Sequence, residues 1–192
     1  MDFSAFSHGQ IHRKLWLCEK IENFVIKPEV PVPLKVAILG SWYNILGFLL
    51  LVRNQELYRQ IIGIEVDKEC IEIANEIGDA FYVNNGQLEN WYISANDVPY
   101  EEFDLIINTS IENIKDDYWF HQIPEGKYVC FQACDLIPKE VENYENWFIS
   151  NPIKSLDDLK NKFPLSMIYY KGSKSFDYGE LKYNRYMIIG KK

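Results

Sequence analysis

Apolar runs alternate with segments of helical period along this chain. LKVAIL, residues 34–39, ends at Gly40. A helix-length segment follows over 41–53. A second apolar run, 60–65, ends in Glu65 and opens a helix over 67–77. There Ile71, Ala74 and Ile77 share one face. Asn84-Asn85-Gly86 predicts a turn and WYISA (91–95) a third strand. FDLIINT (103–109) is a continuous apolar run, the pattern of a parallel strand covered on both faces. GKYVCFQA (126–133) is a fifth strand. SLDDLKNKF (155–163) reads as a helix opened by a serine cap. SMIYYKG (166–172) and KYNRYMIIG (182–190) predict two late strands joined by a hairpin containing Gly172 and Gly179. The series describes an α/β sheet with an antiparallel last strand.

Upstream, QIHRKLWLCEKIENFV (10–25) places Ile11, Leu15, Cys18, Ile21 and Val25 along one helical face. Pro28, Pro31 and Pro33 then break regular structure. Residues 1–33 are therefore expected to be a helix and a stiff linker that cover the ligand crevice. At 192 residues the chain fits one domain, 1–192.

Ligands of open α/β sheets bind beyond the carboxyl ends of the strands. Those ends carry Gly40 and Ser41, Glu65 and Asp67, Asn96 and Asp97, Asn108 to Glu112, and Gln132, Cys134 and Asp135. Loop polarity explains any one of them. The coincidence over five strands favours a site. A carboxylate at Glu65 accepts from both hydroxyls of a ribose. Asp97 suits an adenine amino group. Asn108 suits the cofactor's amino-acid end or a substrate amine, and Glu112 a base. Gln10, Tyr43, Gln132 and Asp135 are candidates for the substrate. The dinucleotide pattern G-x-G-x-x-G is absent after Gly40, which leaves a ligand without phosphates, such as S-adenosyl-L-methionine. A plainer reading makes Gly40 a turn residue and Glu65 a solvated helix start. On these residues the two readings weigh equally.

Composition narrows the partners. Net charge is −8, and the basic residues are dispersed, so long nucleic acid is not favoured. No apolar run approaches the ~18 residues of a membrane span. The N-terminus lacks the pattern of a secretory signal. The four cysteines, Cys18, Cys70, Cys130 and Cys134, are too scattered for a disulfide framework and read as reduced thiols of a cytoplasmic protein. No metal-ligand spacing, P-loop or nucleophile elbow is present.

The chain resembles the class I S-adenosylmethionine-dependent methyltransferases. It is most similar to a small family of methyltransferase-like proteins of bacteriophages and bacteria. The resemblance runs through GQIHRKLWLCEKIE, LGSWYN, GIEVDKECIEIAN, FDLIINTSIEN, IPEGKYVCFQACD and YNRYMIIG. It implies a Rossmann-like sheet of order 3-2-1-4-5-7-6 with helices on both faces. It also implies S-adenosylmethionine, with Gly40, Glu65 and Asp97 on the cofactor. Asn113 stands where the family has His, and Ala133 and Cys134 stand for Ser and Asn. Asn108-Thr109-Ser110 lacks the prolines and aromatic of amino-group methyltransferases, so base-amine methylation is not indicated. The expected activity is methyl transfer to a small-molecule or nucleotide acceptor. The alternatives are lyase or aminocarboxypropyl chemistry on the same cofactor, or a degenerate binding module with Trp42 and Tyr43 filling the cofactor's space.

Overall fold

The computed structural model describes residues 2–80, 86–135, 150–178 and 181–192. Seven strands form one sheet: β1 (Leu34–Leu39), β2 (Tyr58–Glu65), β3 (Leu88–Tyr92), β4 (Leu105–Asn108), β5 (Tyr128–Cys134), β6 (Met167–Tyr178) and β7 (Leu181–Lys191). Their order is β3-β2-β1-β4-β5-β7-β6. The first five are mutually parallel, and β7 runs antiparallel to both of its neighbours. The helices are α1 (His8–Val25), α2 (Ile45–Asn54), α3 (Lys68–Ala80), α4 (Tyr118–Gln122) and α5 (Leu156–Lys162).

The strands are apolar on both faces, and this two-sided burial fixes the layers. In β1, Val36 and Ile38 join one core with Leu17, Ile21 and Phe24 of α1 and Leu46 and Leu50 of α2. Their neighbours Ala37 and Leu39 join the opposite core with Trp119 and Phe120 of α4 and Leu159 of α5. Alternation of period two sends successive residues to opposite faces. A smaller cluster joins Ala5 of the N-terminal segment to Tyr43, Ile45, Ile73 and Ile77.

Several elements depart from the sequence expectation for physical reasons. The buried stripe of α1 is Trp16, Leu17, Cys18, Ile21, Phe24 and Val25, while Leu15 is exposed. The helix packs on α2 and β6 together, which widens and rotates its inner face. Strand β3 starts at Leu88, earlier than its apolar pattern suggests. Its polar Glu89 and Asn90 are half-buried and held by Gln60 at 2.7 Å and Asn44 at 2.9 Å. Gly172 lies within β6, paired to Met187, and is not part of a turn. The strand continues because Phe176 beyond it is buried in the core shared with α1. The short α4 has no counterpart among the expected elements. Asn84, Asn85 and Gly179 lie outside the described residues; Gly86 has φ of 85°, as a turn glycine does.

Leu17 is fully buried where α1 meets the sheet. Leu17→Ala should lower stability by ~2–5 kcal/mol. Urea unfolding measures this, and a loss below about 1 kcal/mol would show that α1 is not anchored in the core.

Candidate active site

One cavity of about 1170 Å³ opens beyond the carboxyl ends of β1, β2, β4 and β5. Its floor begins at the loop after β1. Gly40 has φ of 59°, Trp42 of 53° and Asn44 of 48°. Three left-handed residues within five are unusual, and the two that carry a side chain cost ~1–2 kcal/mol each. Specific bonds hold the loop in this shape. Trp42 N–H donates to Glu65 Oε2 at 2.9 Å. Ser41 N–H donates to the Ile64 carbonyl at 3.1 Å. Asn44 donates from Nδ2 to Asn90, and its Oδ1 accepts from Gly47 N–H at 3.3 Å, capping α2. Gly40 must be glycine on two counts: its φ is positive, and a Cβ there would stand 2.6 Å from the Ser110 Cβ.

Glu65 is aimed into the cavity from the tip of β2. Its Oε1 accepts from Val66 N–H at 2.8 Å and Asp67 N–H at 3.3 Å. Among the described residues its Oε2 accepts from Trp42 alone, so acceptor capacity remains on that oxygen. Beside it, Val66 is an exposed apolar side chain on the cavity wall, and Ile93 lines the wall with it. The turn Ala95–Asp97, capped by the Ser94 side chain, places Asn96 in the cavity wall and leaves Asp97 exposed. Asn96 Oδ1 is buried with no hydrogen-bond partner among the described residues. It is an acceptor without a donor, one residue from the position expected for adenine.

Of the other sequence candidates, Gln10, Gly40 and Glu112 also line the cavity. Gln10 accepts from Lys14 Nζ at 2.9 Å. Glu112 is buried, and its Oε1 accepts from Cys134 N–H at 2.5 Å. Six candidates do not line it. Ser41 is buried, and its hydroxyl lies close over Gly63. Tyr43 accepts at its hydroxyl from Asp2 N–H at 2.9 Å. Asp97 is exposed, as described. Asn108 is fully buried, and its Oδ1 accepts from Ser110 N–H at 2.9 Å, shaping the turn beneath the floor. Its Nδ2 has no partner among the described residues, and neither has Nε2 of the buried Gln132. Asp135 is occupied by β7, accepting from Asn184 N–H at 2.7 Å and Tyr186 O–H at 2.8 Å.

Among the cavity residues that the strand-tip reading passed over are two arginines. Arg13 sits one helical turn after Gln10 on α1, and that spacing was the available signal. Arg185 sits within β7, an arginine inside the run YNRYMIIG. Its strand is antiparallel, so a search of parallel strand tips passes it by. Burial and the Arg185 cation pull Arg13 below its ordinary pKa. For Arg185, burial acts downward, yet Cys134, Glu112 and Tyr183 outweigh it and hold the group above its ordinary value. No cluster of His, Cys, Asp and Glu among the described residues is suited to a metal ion. No helix among them is long and apolar enough to cross a membrane.

No protein-family model matches the chain, and no curated protein matches it in sequence. Solved structures do match in shape. The PH0226 protein from Pyrococcus horikoshii superposes with a TM-score of 0.68 at 14% identity, covering 100% of this chain and 97% of that one. A SAM-dependent methyltransferase from Aquifex aeolicus gives 0.60 at 11% identity, covering 98% and 93%. Magnesium protoporphyrin IX methyltransferase from Synechocystis, with bound SAM, gives 0.61 at 10% identity, covering 94% and 81%. The fold is that of the class I S-adenosylmethionine-dependent methyltransferases. The strand order matches it fully, antiparallel β7 included. At these identities the likeness speaks for the fold.

None of the four cysteines is in a disulfide, and Cys70 lines the cavity of this methyltransferase fold. Burial, then the neighbouring Asp67 and Glu65 carboxylates, push its thiol up to about 12. The thiolate is the reactive form. From an ordinary value of 9.0 the shift lowers its fraction about a thousandfold at neutral pH. Iodoacetamide at pH 8 should therefore alkylate Cys70 at least a hundredfold more slowly than free cysteine, with the rate rising until pH approaches 12. Peptide mapping by mass spectrometry reads this. Alkylation at the free-cysteine rate would contradict the shielded site.

Proposed function

We propose that this protein binds S-adenosylmethionine and transfers its methyl group to a small-molecule or nucleotide acceptor. The observation that carries the reading is the pairing of Glu65 with the unpartnered Asn96 Oδ1 across one cavity wall. A nucleoside satisfies both: a ribose hydroxyl donates to Glu65 Oε2, and an adenine amine donates to Asn96. Val66 and Ile93 supply apolar contact for the base. The absence of a glycine-rich phosphate cradle agrees with a cofactor that carries no phosphate. The bound ligand of the Synechocystis neighbour, SAM, is consistent with this choice.

The cofactor's sulfonium supplies an activated methyl group, so the hard chemistry belongs to the cofactor. The chain's own residues bind, orient and exclude water. Trp42, on its constrained loop, borders the cavity beside Gly40 and Glu65. Asp2, Ser4, Ser7 and residues in the first turns of α1 line the cavity, which supports reading the N-terminal segment as its cover. Such a cover excludes water during transfer. Glu112, buried and anchored on the Cys134 amide, is placed to accept a proton from the acceptor. Most of the rate gain comes from holding the acceptor in line with the sulfonium. The module reading, with Trp42 and Tyr43 filling the cofactor's space, meets a cavity that stays open beside Trp42, while Tyr43 is buried and turned to Asp2.

Calorimetry with S-adenosylmethionine and its demethylated product tests the binding. Glu65→Ala removes a charge-assisted acceptor worth ~1.5–3 kcal/mol and should weaken binding roughly tenfold to hundredfold. An unchanged Kd at equal folding sinks the assignment. Labelled cofactor incubated with cell extract then identifies the chemistry. Recovery of the demethylated product supports methyl transfer, and recovery of methylthioadenosine supports aminocarboxypropyl or lyase chemistry.

A further inference from the structure

The end of the cavity opposite the nucleoside wall is cationic in an otherwise acidic protein. Arg185 lines the cavity, yet it is only 2% exposed. It bonds to Tyr183, and its Nε and Nη1 have no hydrogen-bond partner among the described residues. Arg13 lines the same end from α1 and forms no salt bridge among the described residues. Lys14 follows it, and its ammonium is held by Gln10. Two arginines thus line this end beside Glu112, a carboxylate that is itself bound to the Cys134 amide. Burying a charge without a counter-ion is strongly unfavourable, and charged groups in protein interiors are paired or bound to ligands. A buried guanidinium with two nitrogens left unpartnered among the described residues is a cation that an oxyanion, a carboxylate or a phosphate, would satisfy.

The position separates this feature from the nucleoside wall. Arg185 pairs in register with Cys134, the last residue of β5. Glu65 stands at the tip of β2. In the order β2-β1-β4-β5-β7 these tips are four strand spacings apart, about 19 Å. The cavity volume of about 1170 Å³ exceeds the ~300–1,000 Å³ that one drug-sized ligand occupies. The space accommodates a cofactor at one end and a second ligand at the other.

We infer that Arg185 and Arg13 form an oxyanion subsite, and that the acceptor is a small molecule bearing a carboxylate or a phosphate. The assignment of this ligand as methyl acceptor rests on the proposed function; the anion site itself does not. Arg185 supplies the buried charge that holds the oxyanion from the floor. Arg13 closes on it from α1. Glu112, beside them, faces the rest of the acceptor. The negative net charge of the whole protein then confines anion affinity to this spot.

The test titrates inorganic phosphate and, separately, glutarate into the full chain without cofactor, by calorimetry. S-adenosylmethionine is titrated in a parallel channel. One probe should bind the native protein, and Arg185→Gln should weaken it at least tenfold while leaving S-adenosylmethionine affinity within twofold. Preference for phosphate assigns a phosphomonoester acceptor, and preference for glutarate assigns a carboxylate. Arg13→Gln, on the half-buried helix face, should weaken the same probe at least threefold. It decides the matter if near-ultraviolet dichroism shows Arg185→Gln to be misfolded. Failure of both probes at millimolar concentration, or native-like binding in the folded variants, overturns the subsite. Probe binding without S-adenosylmethionine binding leaves the subsite standing and removes the methyltransferase reading.

Discussion

The Glu65 carboxylate holds the tips of β1 and β2 together, and the cavity depends on that tie. Trp42 and Asn44 both take left-handed backbone. A glycine-rich loop would adopt such angles without strain. Here side chains bulkier than glycine adopt them, and the cost is offset by bonds from outside the loop. Glu65 takes the Trp42 amide, Asn90 accepts from Asn44, and Ile64 accepts from Ser41. All three partners lie on β2 or β3. The loop is therefore shaped by the strands beside it as much as by its own sequence. Gly63 belongs to the same device. A Cβ there would stand 2.6 Å from Asn44 Nδ2 and 2.8 Å from the Ser41 hydroxyl, so the strand must be bare where the loop rests on it.

This explains why the missing glycine pattern does not abolish the site. Glycine's role in a dinucleotide fold is to let backbone approach a pyrophosphate. A cofactor without phosphates needs a different surface at the same place: a wall, a carboxylate and a nearby acceptor. Trp42, Glu65 and Asn96 fit that description. The strained loop is then consistent with function, since strained backbone persists where surrounding contacts over-determine it.

The sheet was legible because both faces are buried, so apolar runs mark each strand and their interruptions mark the tips. Gly40, Glu65 and Glu112 were found by that rule, and all three line the cavity. The rule has no means of telling which side of a tip a residue faces. Asn108 and Gln132 sit at or near strand ends yet are buried and do not line the cavity. Asp97 and Asn96 exchange places because a single helical turn, set by the Ser94 cap, decides which of two neighbours faces inward. Polar residues that pair within the sheet, such as Glu89 and Asn90, hid the start of β3. Arg185 was hidden for a deeper reason. Its strand returns against the others, so its first half, rather than its last, reaches the ligand edge.

That reversal gives the fold its asymmetry. Parallel strands present their carboxyl ends to the cavity, and the nucleoside wall is built there from loop residues and helix starts. Strand β7 instead delivers a residue from its own interior, with regular pairing on both sides: Cys134 on β5 and Lys174 on β6. A side chain placed by a strand's interior is more rigidly positioned than one on a loop. One end of the cavity is thus built from loops tied to β2 and β3, while the opposite end is held by the sheet directly. A guanidinium fixed in this way has little freedom left to lose on binding. At the proposed subsite, selectivity would come from position: a cation fixed by the sheet, with Glu112 close by to repel an anion that arrives misaligned. The residue proposed to recognise a second ligand is therefore held by the same hairpin that completes the sheet.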